Sequence, residues 1–313
     1  MSNLGKQTKK SGSEFGGLWT KQKLKIIESY IKEYSIALKN LKVKKIYVDA
    51  FAGSGITNIN KIVNNNENNL SLMDFLESSY DKSYDECDSI LEGSALLSLQ
   101  YDFDEYYFVE IDSERIKNLE MIIDDKYPDK KKKIKFLNGD ANQFMNLVVS
   151  RITPYHRCLM FLDPYSMELE WKTLELISKN HYIDLWYLFP LSVNRLIPKN
   201  KSSMVKSCRE IVNKVFGTNE WEEKLYNVSY QNTIFGCETL YERVPFNEII
   251  DYIIKKFKTI FPYVSDDSKI LTNDKKKSPM FLLAFMMTND SDKAVRLASK
   301  LVKAAIRSAE KID

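Results

Sequence analysis

The sequence has few of the residues that build metal sites and disulfide frameworks. Its 313 residues include only two histidines, and its four cysteines are widely separated, with no C-x-x-C pair. A zinc site or a disulfide framework is therefore not expected, and we predict no bound metal. These residues are His156, His181, Cys87, Cys158, Cys208 and Cys237.

Long apolar runs are also missing. None reaches the roughly 20 residues that a membrane-spanning helix needs, and the amino terminus lacks the apolar core of a signal peptide. We therefore expect a protein of the reducing cytoplasm that does not enter a membrane. The net charge of +3 is too small to argue for a nucleic-acid partner by itself. A chain of this length that is 44% hydrophobic predicts one large domain, with or without an appendage.

Glycine is scarce too, with ten residues, yet Gly53 and Gly55 directly follow the strand pattern of residues 46–48. Glycines at a strand end let a ligand approach the main chain closely and leave amide groups to donate hydrogen bonds. The pattern from Asp49 through Phe51 to Gly55 lacks the third glycine of the dinucleotide fingerprint and the Lys-Ser/Thr of a P-loop. It predicts a ligand-binding turn, and an ordinary tight turn is the alternative.

Carboxylates end the next predicted strand, residues 106–112. A carboxylate in this place, after a glycine-rich turn, usually binds both hydroxyls of a ribose. Glu110 is the candidate, Asp112 is the alternate, and simple solvation of both is the other interpretation.

The third predicted strand, residues 134–137, leads to Asp140 and Ala141, where an acceptor beside a turn would take an adenine amino group. The carboxyl ends of parallel strands lie along one edge of an open α/β sheet. The ordered series of acidic strand ends therefore predicts one shared crevice.

The fourth predicted strand, residues 158–162, is continuously apolar and stops at Asp163, Pro164 and Tyr165. Proline fixes the backbone here, so that Asp163 and Tyr165 are held rigidly beside the crevice. An acceptor next to an aromatic ring suits a planar nucleophile such as a base amine. A proline-stiffened loop in which Asp163 caps the next turn is the alternative.

Asn194 and Arg195 follow the fifth predicted strand, residues 183–189, closely enough to contact substrate. Ordinary capping or ion pairing of Arg195 is equally compatible with this position. Basic clusters at 130–133, 255–258 and 275–277 would suit a polyanion, although solvated lysines account for them more simply.

The chain divides into four predicted parts. Residues 1–17 form a disordered tail, and a helix that Thr20 caps begins the core. The core spans 18–197 and contains an acidic insertion, residues 56–92, which suits a lid. Residues 198–278 form a mainly helical insertion or cap, and residues 279–313 supply the last strand and helix. The expected fold is α/β, with a mostly parallel doubly wound sheet.

Together these motifs resemble the Rossmann-like, class I S-adenosylmethionine-dependent methyltransferases. With the W-T-K-Q-K-L start and the D-L-W-Y-L-F-P segment, nearly the whole chain, about residues 18–308, resembles the three-Cys-motif partner protein family. A more distant resemblance is to adenine-N6 methyltransferases of ribosomal RNA, which share the long gap after the glycine turn. Those enzymes usually have two prolines in the motif where this chain has only Pro164.

The resemblance implies S-adenosylmethionine as the cofactor, and transfer at Asp163, Pro164 and Tyr165. It also implies a partner with three close cysteines, of the kind that hold an iron-sulfur cluster. Two functions follow: a methyltransferase acting on RNA or DNA, or a partner protein that keeps the fold for an assembly. A protein or peptide methyltransferase is a third, weaker alternative. The implied cofactor residues are Asp49, Phe51, Gly53, Gly55, Glu110, Asp140 and Ala141.

Overall fold

A computed structural model describes residues 17–57, 91–234, 236–273 and 276–310. Its centre is one eight-stranded sheet in the order β10-β12-β7-β6-β1-β4-β5, with β11 paired to β12. Two further pairs of strands, β2 with β3 and β8 with β9, lie outside this sheet. The strands are β1 (Lys44–Asp49), β2 (Ile56–Thr57), β3 (Leu91–Glu92), β4 (Glu105–Glu110), β5 (Ile134–Asn138), β6 (His156–Leu162), β7 (Ile183–Pro190), β8 (Tyr226–Thr233), β9 (Gly236–Arg243), β10 (Tyr263–Val264), β11 (Lys269–Thr272) and β12 (Pro279–Met287).

Helices cover both faces of the sheet. The apolar sides of α1, α2, α3 and α10 pack on one face, and those of α4, α5, α7 and α9 pack on the other. The helices are α1 (Gly17–Ala37), α2 (Ser94–Ser98), α3 (Ser113–Lys126), α4 (Ala141–Arg151), α5 (Trp171–Ser178), α6 (Val193–Leu196), α7 (Lys206–Phe216), α8 (Trp221–Lys224), α9 (Phe246–Lys258) and α10 (Asp292–Ala309).

The direction of the strands identifies the fold. β5, β4, β1, β6 and β7 are parallel, and β12 runs antiparallel beside β7. Strand order therefore reverses at β1, whose neighbours are β4 and β6, and such a switch point opens a crevice at the carboxyl edge of the sheet. This is the Rossmann-like class I methyltransferase fold, with the mostly parallel, doubly wound sheet that the sequence predicts.

The segment 198–278 differs from its predicted mainly helical form. α7, α8 and α9 lie there, but β8 and β9 form an antiparallel hairpin, and β10 and β11 join the main sheet. The prediction was therefore wrong for residues 226–243. These strands carry many polar side chains on both faces, which hides the alternation of apolar residues that marks a half-buried strand.

Predictions near the amino terminus have mixed outcomes. Thr20 does not cap α1, because the helix begins at Gly17 and Thr20 is buried inside it. The predicted tail lies outside the described residues apart from Gly17. The acidic insertion lies outside them between residues 58 and 90, and its two ends pair as β2 and β3.

Candidate active site

The carboxyl edge of the sheet gathers most of the residues that the sequence singles out. The glycine turn after β1 is hydrogen-bonded to both neighbouring strands, because Ala50 N donates to Phe161 O and Ala52 N donates to Val109 O. Strands β4, β5 and β6 end at the same edge, so the loops that follow them begin there. The site is therefore assembled from successive βα units, as the pattern of strand ends predicts.

The two glycines of the turn have different roles. Gly53 has φ +63°, and a Cβ built on it meets no atom of the described residues within 4 Å. Gly55 has φ +79°, but a Cβ there would lie 2.7 Å from Cδ1 of Leu119. Gly55 thus allows the turn to pack on α3, whereas Gly53 borders open space that a ligand can fill.

Asp49 is fully buried and secures the turn. Its Oδ2 accepts a 2.6 Å hydrogen bond from Ser94 Oγ at the start of α2, and its Oδ1 accepts one from Phe51 N at 3.2 Å. Burial raises the pKa of Asp49 to about 7, since the Ser94 hydrogen bond offsets only part of the desolvation. Asp49 therefore connects the turn to the start of α2 through its two hydrogen bonds, and its carboxyl titrates near neutral pH.

This buried carboxyl predicts a pH dependence of stability. Because its pKa is higher in the folded than in the unfolded chain, the folded protein binds more protons, and stability falls as pH rises from about 4 to about 7. We expect the stability of Asp49→Asn relative to the wild type to rise across that range, by roughly 4 kcal/mol between about pH 4 and the plateau above pH 7. Urea unfolding of both proteins at pH 5 and pH 8 measures this gap, and parallel pH profiles would contradict the assignment.

Glu110 is buried where β4 ends. Its Oε2 accepts a hydrogen bond from Gly53 N at 2.9 Å, and its Oε1 accepts one from Asp112 N at 3.0 Å. Each carboxylate oxygen can accept a second hydrogen bond, so this geometry is compatible with a ribose contact beside the turn. Asp112, the alternate, is exposed and instead caps α3 by accepting from Glu114 N and Arg115 N.

The loop after β5 connects to the loop after β6 through Asn142. Asp140 caps α4, accepting from Asn142 N at 2.9 Å, and Ala141 is buried behind it. Asn142 Nδ2 also donates to the backbone oxygen of Glu168 at 2.8 Å. The pKa of the Glu168 carboxyl is raised by desolvation, and the charge of Glu110 adds to the shift. Three carboxyl groups, those of Glu110, Asp140 and Glu168, therefore lie at this end of the crevice.

Asp163 forms an ion pair that the sequence does not suggest. Its Oδ2 lies 2.5 Å from Nζ of Lys23 on α1, and the side chains are 20% and 10% exposed. The Lys23 ammonium also lies 5.4 Å from the ring centre of Trp19, which packs on Phe281. The amino end of α1 thus borders the crevice and contributes a cation to it.

Tyr165 is 55% exposed and Pro164 is buried. The backbone N–H of Tyr165 donates to Oε2 of Glu168 at 3.2 Å. The Tyr165 side chain is therefore largely open to solvent, while the backbone of its loop is bonded to Glu168.

Asn194 and Arg195 lie on α6, after the carboxyl end of β7. Arg195 is exposed, whereas the side-chain oxygen of Asn194 is buried and has no hydrogen-bond partner in the described part of the chain. The backbone oxygen of Asn194 accepts from the guanidinium of Arg243 at 2.6 Å. Beside them a cleft of about 440 Å³ opens at the base of the hairpin, and its lining includes Lys199, Arg243 and Phe246. Substrate contact by Asn194 and Arg195 stays a prediction.

The sequence does not reveal the roles of four side chains at this edge. Lys23 had a usable signal, because it interrupts the buried stripe that runs from Trp19 to Tyr30 along α1. Ile111 is 70% exposed directly after Glu110, where an apolar side chain can cover a flat ligand. The roles of Ser94 and Glu168 depend on loop geometry that local pattern does not contain.

The described residues contain no group of three or more His, Cys, Asp or Glu side chains arranged to hold a metal ion. None of their helices has both the length and the apolar character needed to cross a membrane.

No protein-family model and no curated protein matches the sequence. Among solved structures, a protein from Legionella pneumophila is 15% identical with a TM-score of 0.38, covering 78% of this chain and 94% of its own. The methyltransferase domain of the bacterial protein CtHen1 is 12% identical with a TM-score of 0.33, and the match covers 84% of this chain and 100% of that domain. The N-terminal domain of EvdMO1, solved with S-adenosylhomocysteine bound, is 7% identical with a TM-score of 0.38, and the match covers 83% of this chain and 80% of that one. Because these identities and TM-scores are low, the fold is assigned from the order and direction of the strands and not from these similarities.

Proposed function

We propose that this chain is an S-adenosylmethionine-dependent methyltransferase that acts on an exocyclic amine of a nucleic-acid base. The observation that carries the proposal is the arrangement at the switch point. Gly53 borders open space there, a buried Glu110 lies beside the turn, and Asp163 lies at the end of the adjacent strand β6. That combination fits an adenosyl ligand next to an acceptor for a nucleophile.

The residues present suit the cofactor. The glycine turn would hold its amino-acid portion, and Glu110 would accept hydrogen bonds from its ribose. Asp140 and Ile111 would border its base, through an acceptor and an apolar surface. The acidic end of the crevice favours a ligand with a positive charge. When bound, S-adenosylmethionine supplies a methyl group on a sulfonium, which is already a good electrophile.

The chain's own residues then position the nucleophile. Asp163 accepts a hydrogen bond from the target amine and takes up its proton after transfer, and Pro164 keeps that carboxylate in place. Tyr165 offers an exposed ring on which a base can stack. Orientation of the amine is the main task, because the electrophile needs no further activation.

Charge along the edge supports a nucleic-acid substrate. The β4 and β5 side is acidic, whereas the loops after β7 and before β12 carry exposed cations. Lysines in these loops suit phosphate contacts, which position a nucleic acid without reading its sequence. The predicted clusters at 130–133 and 255–258 lie away from this edge, before β5 and at the end of α9. The exposed cations at the edge are Arg195, Lys199, Lys276 and Lys277.

Transfer of a tritiated methyl group to RNA, DNA and protein tests this function. We expect label in RNA or DNA and its loss in Asp163→Asn. Label in protein alone would refute the nucleic-acid substrate, and no label in any of the three would refute transfer by the isolated chain.

The hairpin favours a second candidate function, that of a partner protein in an assembly. Val228, Tyr230, Ile234 and Tyr241 are exposed on it, and a two-stranded ribbon gains stability when something covers it. The partner that the family resemblance implies carries three close cysteines. We expect Tyr230→Ser to weaken co-purification with such a partner and to leave cofactor binding unchanged. Equal co-purification of Tyr230→Ser and the wild type would count against this role.

A further inference from the structure

The ion pair between Lys23 and Asp163 determines the net charge beside the transfer position. Lys23 lies on the buried stripe of α1, where an unpaired ammonium would be strongly disfavoured by desolvation. Asp163 Oδ2 accepts from Lys23, and Oδ1 accepts no hydrogen bond from the described residues. One oxygen therefore pairs with the lysine, while the other can accept a hydrogen bond from a ligand.

Two buried neighbours of Asp163 do not carry a full charge at pH 7. Asp49, on the adjacent strand β1, has a pKa raised to about 7 because it is buried, so it is partly protonated there. Tyr47 on the same strand is buried, and desolvation raises its pKa, so its phenol stays neutral. The charges of Lys23 and Asp163 cancel. Without Lys23 the same pocket would carry at least one net negative charge.

We propose that Lys23 is a positioning residue that keeps the acceptor pocket close to electrically neutral, and thereby selects a nucleophile that is uncharged at pH 7. The inference rests on the proposed function and names the substrate class within it. An exocyclic amine of a nucleobase meets this requirement, whereas the ammonium of a protein lysine does not.

The reason is electrostatic. An unpaired carboxylate in a partly desolvated pocket attracts an ammonium, but a carboxylate already paired with Lys23 does not, and the fixed cation repels a second one. A neutral amine is not subject to that repulsion and can still donate a hydrogen bond to Oδ1. Lys23 thus acts through Asp163 on which substrate group receives the methyl group.

The first test compares binding of S-adenosylmethionine and S-adenosylhomocysteine by calorimetry, because the two ligands differ by one methyl group and one positive charge. In Lys23→Met, the preference for S-adenosylmethionine over S-adenosylhomocysteine should rise about tenfold, as expected for removal of one nearby charge at an effective dielectric constant of about 20. Lys23→Arg should keep the wild-type ratio. An unchanged ratio in Lys23→Met would overturn the proposal.

Two control variants distinguish the effect of removing the Lys23 charge from the effect of damaging the fold. Lys25→Met removes an exposed lysine of the same helix, which pairs with Glu28, and should leave the ratio unchanged. The double variant Lys23→Met/Asp163→Asn removes both charges and should return the ratio to the wild-type value. A raised ratio in the double variant would assign the effect to altered packing and overturn the proposal.

A second test needs no ligand. Lys23 lowers the pKa of Asp49 and Asp163 raises it, so carboxyl carbon-13 NMR of Asp49 should show opposite shifts in two variants. Lys23→Met should raise the Asp49 pKa, and Asp163→Asn should lower it. Failure of both shifts would overturn the proposal even in a protein that binds the cofactor. A wild type that binds neither ligand would refute the proposed function, while this titration still decides the role of Lys23.

Transfer assays test the selection itself. The wild type should methylate an adenine- and cytosine-containing RNA in preference to a lysine-containing peptide, and Lys23→Met should reduce that preference. Equal preference in the two proteins would contradict the role of Lys23 in substrate choice.

Discussion

Asp163→Asn is expected to slow methyl transfer by about 100-fold to 10,000-fold while changing the affinity for S-adenosylhomocysteine, which lacks the sulfonium charge, by less than about threefold. An amide in place of the carboxylate cannot take up the proton of the target amine, and general-base catalysis contributes a factor of this size. The cofactor residues lie on β1, β4 and β5, and Asp163 belongs to the neighbouring strand end, so binding is retained. Single-turnover transfer and calorimetry measure the two quantities separately.

This substitution also leaves Lys23 buried without its partner, which destabilises the fold. The double variant Lys23→Met/Asp163→Asn removes both partners and should recover much of the stability without recovering transfer. If the double variant or the single variant transferred methyl groups at the wild-type rate, Asp163 would have no catalytic role.

Gly53→Asn is expected to weaken S-adenosylmethionine binding by at least about 100-fold. The Cβ of residue 53 would enter the open space beside the turn, and the asparagine amide would extend further into the volume assigned to the ligand. Asparagine tolerates a positive φ better than other residues that carry a Cβ, so the φ of +63° is kept with little strain. Calorimetric titration and thermal unfolding together measure binding and fold.

Two glycine variants serve as comparisons. Gly53→Ala carries more backbone strain but fills less space, so its affinity for S-adenosylmethionine should lie between those of Gly53→Asn and the wild type. Gly55→Ala forces a contact of 2.7 Å on Leu119 and should mainly lower the melting temperature. If Gly53→Ala bound more weakly than Gly53→Asn, backbone strain rather than occupied space would explain the loss.

The sequence predicts the central sheet well, because each of its five parallel strands is a short apolar run that stops at a polar or glycine-containing loop. The antiparallel direction of β12 depends on how the chain crosses the sheet, which no local pattern in the sequence shows. The hairpin β8–β9 was missed because its exposed strands lack the apolar face that marks burial.

The candidate site was predicted in part. The structure brings the glycine turn, Glu110, Asp140 and Asp163 to one edge, since parallel strands must end together. Asp112 could not be separated from Glu110 in the sequence, because only the start of α3 shows that it is a helix cap. Lys23 was missed because its partner lies 140 residues away, and such a pairing is fixed by the packing of α1 on the sheet.

The most direct test of the central claim is a calorimetric titration of the wild type and Glu110→Gln with S-adenosylmethionine, using Asp112→Asn as the matched control. Glutamine keeps the size of the side chain but loses an acceptor beside Gly53, whereas the Asp112 side chain caps α3. We expect micromolar binding to the wild type and to Asp112→Asn, with at least a tenfold loss in Glu110→Gln. Absence of binding to the wild type, or equal binding to all three proteins, would contradict it.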